Sequence, residues 1–249
     1  MSGADFPSGN YRFLPFAFQY SSGVAAQPGY EIERVQFRKP VPLLQGFERI
    51  EAYIRERGRP LTAFCACELR SPGQFTDQGF IDFNRRYVVT LEKWGVFDGK
   101  TNPVARSNVC PEIGGPAEPS FHAFAFTMPA AKAAPSFVIA GSGEARPGDG
   151  SYRERIVRWG DTGADALREK AVFVLDAMER RLGALGFTWA DTTASQVYTV
   201  HDLHPFLAGE IVQRGAARSG LTWHYARPPV QMLEYEMDCR GVARETVSA

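Results

Sequence analysis

The chain's chemistry must come from a few arginines, carboxylates, histidines and cysteines, and their spacing limits what that chemistry can be. Arg106 closes the run Asn102-Pro103-Val104-Ala105-Arg106, and Arg218 stands in Ala217-Arg218-Ser219-Gly220. A guanidinium in such a place either forks onto a ligand carboxylate through paired N–H···O bonds or pairs with a local acid or carbonyl. Spacing alone leaves both open. Glu234 and Glu236 lie two apart in the strand-like run Met232 to Asp238, so a period of two puts them on one face and Tyr235 on the other. In a cleft, such a glutamate acquires a raised pKa and works as a general acid–base; on a solvated face it is only a surface charge. His122, within FHAFAFTM, is either a proton relay or a hydrogen-bonded core histidine. His201 and His204 flank a helix start that Asp202 would cap, and His224 precedes the turn Arg227-Pro228-Pro229. The four histidines form no H-x-x-x-H pair, a poor set for a metal. Cys110 follows Arg106 by four residues; as a thiolate it would be a nucleophile, as a buried thiol it would be inert. Cys65 and Cys67 have no second Cys/His cluster nearby, so reduced cysteines are expected rather than a zinc site. Gly141-Ser142-Gly143 matches neither a phosphate-binding loop nor a nucleophile elbow.

These residues must be positioned by a chain of 249 residues, long enough for one large core or two small domains. Its 28 basic and 28 acidic side chains cancel, so no general attraction to nucleic acid or anionic membrane is expected. No run approaches 18 apolar residues, so none is long enough for a membrane-spanning helix. Residues 1–24 hold Asp5, Pro7 and Asn10 early and no long apolar stretch, unlike an export signal, and a cytoplasmic protein is expected.

In the first half, YEIERVQF (30–37) alternates as a strand. Leu43, Phe47, Ile50 and Ile54 recur as one helix face, and Gly58 ends the helix. LTAFCACEL (61–69) reads as a buried strand. Thr76 or Asp77 then caps a second helix carrying Phe80, Phe83, Tyr87, Val88, Leu91 and Trp94, and FHAFAFTM forms the last strand. The second half repeats the order. SFVIAG (136–141) is a strand; Leu167, Ala171, Val174, Met178 and Leu185 form a long helical stripe; ASQVYTV (194–200) is a strand; a shorter helix carries Leu207, Ile211 and Val212; MLEYEMD (232–238) closes. Two similar modules of strands and helices, joined near residues 129–135, account for this repetition. A single α/β domain with accidental similarity is the alternative.

The run NPVARSN (102–108), with its arginine introduced by a Pro/Ala stretch before a strand, resembles the Rid family of enamine/imine deaminases. The second half resembles that family over a longer run: FVIAGSGE, a long helix, TASQVYTVHDLHPF, ARSGLTW and LEYEMD. The resemblance implies an α+β fold of two chorismate-mutase-like modules, each a mixed sheet with two packed helices. Residues 1–130 would form a diverged first module and 131–249 a second. It implies that Arg106 and Arg218 grip substrate carboxylates and that Glu234, sixteen positions after Arg218, handles the water or proton. Gly141 or Gly143 would form the pocket turn. His122 stands where the first module's glutamate would be, and His224 is a candidate for the pocket edge. Two-module relatives resemble chorismate-hydrolysing enzymes or aminomuconate-type deaminases, and the length fits the latter. The expected reaction is cofactor-independent, hydrolytic deamination of an enamine or imine dicarboxylate such as 2-aminomuconate or a substituted relative, releasing ammonia. Hydrolysis of a chorismate-like enol ether and non-catalytic binding of a small acid are the competing readings. The resemblance also implies a closed homo-oligomer, a trimer by preference, with a small-molecule dicarboxylate as the partner.

Overall fold

Residues 2–148 and 150–248 are described by the computed structural model. An N-terminal arm supplies β1 (Ala4–Phe6), β2 (Tyr11–Phe13) and β3 (Gly23–Ala26). The first half continues as β4 (Tyr30–Pro42), α1 (Leu43–Glu56), β5 (Phe64–Arg70), α2 (Asp77–Lys93), β6 (Ala105–Pro111) and β7 (Ser120–Pro129). The second begins with β8 (Phe137–Gly143), α3 (Tyr152–Arg155), α4 (Ala164–Leu185), β9 (Ala194–Tyr198) and α5 (His204–Phe206). It ends with β10 (Leu221–His224), β11 (Ala226–Arg227), β12 (Glu236–Gly241) and β13 (Arg244–Ser248). The architecture is α+β, two modules each built on a mixed sheet with its helices on one face.

In the first module, Phe47, Ile50 and Ile54 of α1 and Phe83, Tyr87 and Leu91 of α2 bury against Phe121, Phe124 and Phe126 of β7. Thr76 caps α2 by accepting the Gly79 N–H at 3.1 Å. Gly46 lets α1 approach the sheet, since a Cβ there would lie 2.4 Å from the Phe121 ring. In the second module Leu167, Ala171, Val174, Met178 and Leu185 of α4 are all buried, and Gly186 ends the helix at φ +84°.

Three elements differ from expectation. The second helix of the first half, expected to be the shorter, has 17 residues against 14 in α1. The corresponding helix of the second half is only α5, which widens into a π-helical stretch at Leu207–Val212 and leaves Val212 exposed. Gly209 within it is a poor helix former. The last strand of the pair of repeats starts at Glu236, not Met232, because Met232 adopts φ +71° and turns the chain before the sheet is entered.

The strand pairing crosses the division at 130/131 in both directions. One sheet is ordered β1-β2-β3-β8-β12-β9-β10 and the other β11-β6-β5-β7-β4-β13. The N-terminal arm therefore extends the second module's sheet, while β13 pairs in parallel with β4 of the first. The two sheets meet face to face. One end of that interface is apolar, with Tyr11, Ile32, Cys65, Ala105 and Ala140. The other is ionic: Arg34 bridges Glu68 at 2.6 Å and Glu245 at 3.1 Å, and Arg240 bridges Glu245 at 2.7 Å. Of these pairs the partly exposed Arg34–Glu245 joins the end of one module to the other. Among the described residues no helix is long and apolar enough to cross a membrane.

Candidate active site

Arg106 is the second residue of β6, and that position decides what it can do. Its side chain runs toward α2 and is boxed by aromatic rings: Tyr87 at 4.7 Å, Tyr20 at 5.3 Å, Phe83 at 5.6 Å and Phe80 at 5.8 Å from the guanidinium carbon. Nη2 donates to Asn84 Oδ1 at 2.6 Å. The side chain is buried, yet Nη1 has no hydrogen-bond partner and no described carboxylate pairs with the charge. Asn108, two residues on and on the same face of β6, accepts from Ser71 Oγ at 2.9 Å and leaves Nδ2 equally unbonded. A buried donor left without an acceptor costs about 1–3 kcal/mol, more when charged. Two such donors on one wall are free to bond an anion.

Both line a cavity of about 510 Å³ between the modules. Its floor is Gly141-Ser142-Gly143, the end of β8. Opposite, β12 carries Glu236, which is 4% exposed and faces the cavity. Glu236 pairs with Gly143 on the neighbouring β8, and its side chain lies against Gly141 two residues back along that strand. A Cβ on Gly141 would lie 2.1 Å from Glu236 Oε1 and 3.3 Å from Ser107 Cα, so only glycine fits there. Replacing Gly141 by alanine should therefore push the carboxyl off its place. The expected result is a loss of about 1–3 kcal/mol in thermal unfolding together with a reduced kcat.

The charges around Glu236 decide its protonation. Burial pushes its carboxyl well above the ordinary range, and the negative charges of Asp238 and Glu144 add to this against Arg181 and Arg70. These surroundings favour the protonated, neutral carboxyl of Glu236. The wall is cationic: exposed Arg146, half-buried Arg155 and buried Arg181 join Arg106 in the lining, where Glu236 is the one carboxyl among the described residues. Arg181 is held by the carbonyl of Ala140 at 2.9 Å, and Arg155 by that of Gly150 at 2.7 Å. Phe16, Tyr20 and Tyr152 supply the aromatic part of the wall. Such a cavity selects an anionic, partly apolar small molecule.

Of the residues singled out in the sequence, Arg106, Gly141, Gly143 and Glu236 line this cavity, while Arg218, Glu234, His122 and His224 do not. Arg218 is exposed in the turn before β10, three residues short of the strand that would have held it as β6 holds Arg106. Glu234 precedes β12 and is engaged by His201 Nε2 at 2.8 Å and Arg227 Nη1 at 3.0 Å. His122 lies at the ionic end of the interface. Burial, then the charge of Arg70, pushes its pKa down to about 3, so it stays neutral. His224 stacks on Tyr198 at 4.9 Å, bonds Gln196 Oε1 at 2.9 Å and is pushed down to about 4, mainly by burial. The Cys110 thiol, pushed up to about 12 by burial, is no nucleophile at neutral pH. No described group of His, Cys, Asp and Glu could hold a metal ion.

Asn108, Arg155 and Arg181 were not anticipated. Two of them left a signal. Asn108 follows Arg106 at strand period, and Arg181 interrupts the apolar stripe between Met178 and Leu185. For Arg155, in a four-residue helix, the sequence offers none.

Against known proteins, residues 3–246 match the family model described as 2-aminomuconate deaminase CnbZ. The chain is 54% identical over 244 residues to a 2-amino-5-chloromuconate deaminase of Comamonas testosteroni, covering 97% of each protein. In fold it is similar to a chorismatase crystal structure, with a TM-score of 0.56 over 89% of this chain and 77% of that one, at 14% identity.

Proposed function

This chain belongs to the 2-aminomuconate deaminase CnbZ family, and on that premise we propose that it hydrolyses an enamine or imine dicarboxylate of the 2-aminomuconate type to the 2-oxo acid and ammonia. The observation that carries this reading is the unbonded Arg106 Nη1 in a cavity where, among the described residues, the buried Glu236 is the one lining carboxyl. Arg106 Nη1 and Asn108 Nδ2 take the carboxylate next to the amino-bearing carbon. Arg155 and Arg181, across the same wall, meet the distal carboxylate. Holding both ends fixes the reacting carbons beside Glu236 and removes the entropy of finding that alignment.

The chemistry then needs one proton-transfer group. Glu236 gives its proton to the enamine carbon, forming the C–H bond and an iminium. The glutamate, now charged, takes a proton from water as its oxygen adds to the iminium carbon. That proton then passes to the amino group, and as the C–N bond breaks and ammonia leaves, the hydroxyl returns its proton to Glu236 and becomes the carbonyl. Enamine plus water becomes oxo acid plus ammonia, with no change of oxidation state overall. A neutral acid suits the first step, and its raised pKa makes it an adequate base for the second.

Incubation with freshly generated 2-aminomuconate tests this directly. The ultraviolet absorbance of the substrate should fall faster than by spontaneous decay, with one equivalent of ammonia appearing and the rate unchanged by a chelator. Decay at the spontaneous rate, or ammonia well below one equivalent, would overturn the proposal.

A further inference from the structure

Beneath Glu236 lies a second carboxyl for which the proposed chemistry has no use. Asp238 follows Glu236 by two residues on the same face of β12 and is as deeply buried. Its Oδ2 accepts the Ser107 hydroxyl at 2.5 Å and the Tyr198 hydroxyl at 2.9 Å, and its Oδ1 accepts Gln196 Nε2 at 2.8 Å. Arg240, next on that face, is committed to Glu245. Burial and the charge of Glu68 push the Asp238 carboxyl up, while the bonds from Ser107 and Gln196 and the charge of Arg240 oppose them. The three hydrogen-bond donors favour its anion, and Glu236 has none like them among the described residues. No described residue donates to the Glu236 carboxyl, so of the two acids Glu236 takes the proton. Ser107 Oγ also accepts the Gly141 N–H at 3.1 Å. The carboxylate that charges the neighbourhood of Glu236 therefore also anchors the glycine packed against it.

The groups facing Glu236 from the surrounding elements can be enumerated. Among the described residues, Arg181 comes from α4, Arg70 from β5, and Arg106 and Cys110 from β6; Tyr20 comes from the N-terminal arm, Tyr152 and Arg155 from α3, and Glu144 and Arg146 follow β8. The arginines favour the charged form. Glu144 opposes it but is matched by Lys170 at 3.3 Å, neither side chain exposing any surface. Asp238 remains as the negative neighbour without an ion pair of its own.

We propose that Asp238 is a positioning residue for the reaction, an ionised carboxylate that keeps the proton on Glu236 and, through Ser107, holds Gly141 in place. This rests on Glu236 being the acid of the site. The test is a pH titration of the ligand-free, full-length protein by infrared difference spectroscopy, following the carbonyl band of a protonated carboxyl that Glu236→Gln removes. In Asp238→Asn the midpoint of that band should fall by at least about one pH unit, a tenfold change in acidity. Asp238→Glu, which keeps the charge, should leave it near the wild-type value. Ser107→Ala keeps every charge but makes Asp238 a poorer anion, and should move the midpoint the same way by less. The alkaline limb of kcat should follow these midpoints while KM stays constant. A midpoint unmoved in both Asp238→Asn and Ser107→Ala, with the band still lost in Glu236→Gln, sinks the role of Asp238 and leaves Glu236 standing. A band that survives Glu236→Gln removes both. Should Asp238→Asn fail to fold, Ser107→Ala decides alone.

Discussion

Replacing Arg106 by alanine should lower kcat/KM for 2-aminomuconate by roughly 10²- to 10³-fold, the equivalent of about 2–5 kcal/mol for leaving one partner of a desolvated charge pair alone. The effect is large because Arg106 has nothing else to satisfy it: one nitrogen holds Asn84, another is unbonded, and the rest of the group sits among aromatic rings. Arg106→Lys should recover only part of the loss, since an ammonium lacks the planar fork. Arg218→Ala is the matched control. Its guanidinium is exposed in a surface turn, so kcat/KM should stay within about twofold and stability within about 0.5 kcal/mol. Equal losses in Arg106→Ala and Arg218→Ala, measured by initial rates over a substrate range, would show that the second module holds a clamp of its own.

Glu236→Gln should reduce kcat by about 10²- to 10⁴-fold, the usual range for a positioned acid–base group. Its pH profile is as informative as its size. With the carboxyl raised by burial and by Asp238 and Glu144, the active protonated form persists below its pKa and is lost as pH rises through it. Wild-type activity should therefore fall on the alkaline side, and the residual activity of Glu236→Gln should lack that limb. Glu234→Gln should keep the limb, because Glu234 is occupied with His201 and Arg227 outside the cavity. If the limb survives in Glu236→Gln and disappears in Glu234→Gln, the two glutamates have been assigned the wrong way round.

That distinction shows how far the sequence could be read. Two glutamates two positions apart share a strand face whatever the register, so periodicity brought both forward and could not choose between them. The choice was made by the backbone of Met232, whose positive φ delays the strand until Glu236. Similarity between the halves likewise suggested Arg218 as the counterpart of Arg106. A clamp, however, needs its arginine inside the strand with a helix over it. Arg106 has α2 above it, whereas Arg218 falls in the turn before β10.

The residues by themselves determined the local elements: the α4 stripe, a cap at Thr76 or Asp77 that the structure gives to Thr76, Gly58 after α1 and the aromatic face of β7. Each depends on interactions within a few residues or on one buried face, and periodicity records both. Which residues meet in the cavity was decided only by tertiary structure. The N-terminal arm joins the far sheet, β13 crosses back to β4, and β6 lies against β8, so that Arg106, Gly141 and Glu236 come together from distant parts of the chain. Protonation followed from the same assembly, since a carboxyl's pKa depends on how much water and which charges surround it, and neither is written in its neighbours along the chain.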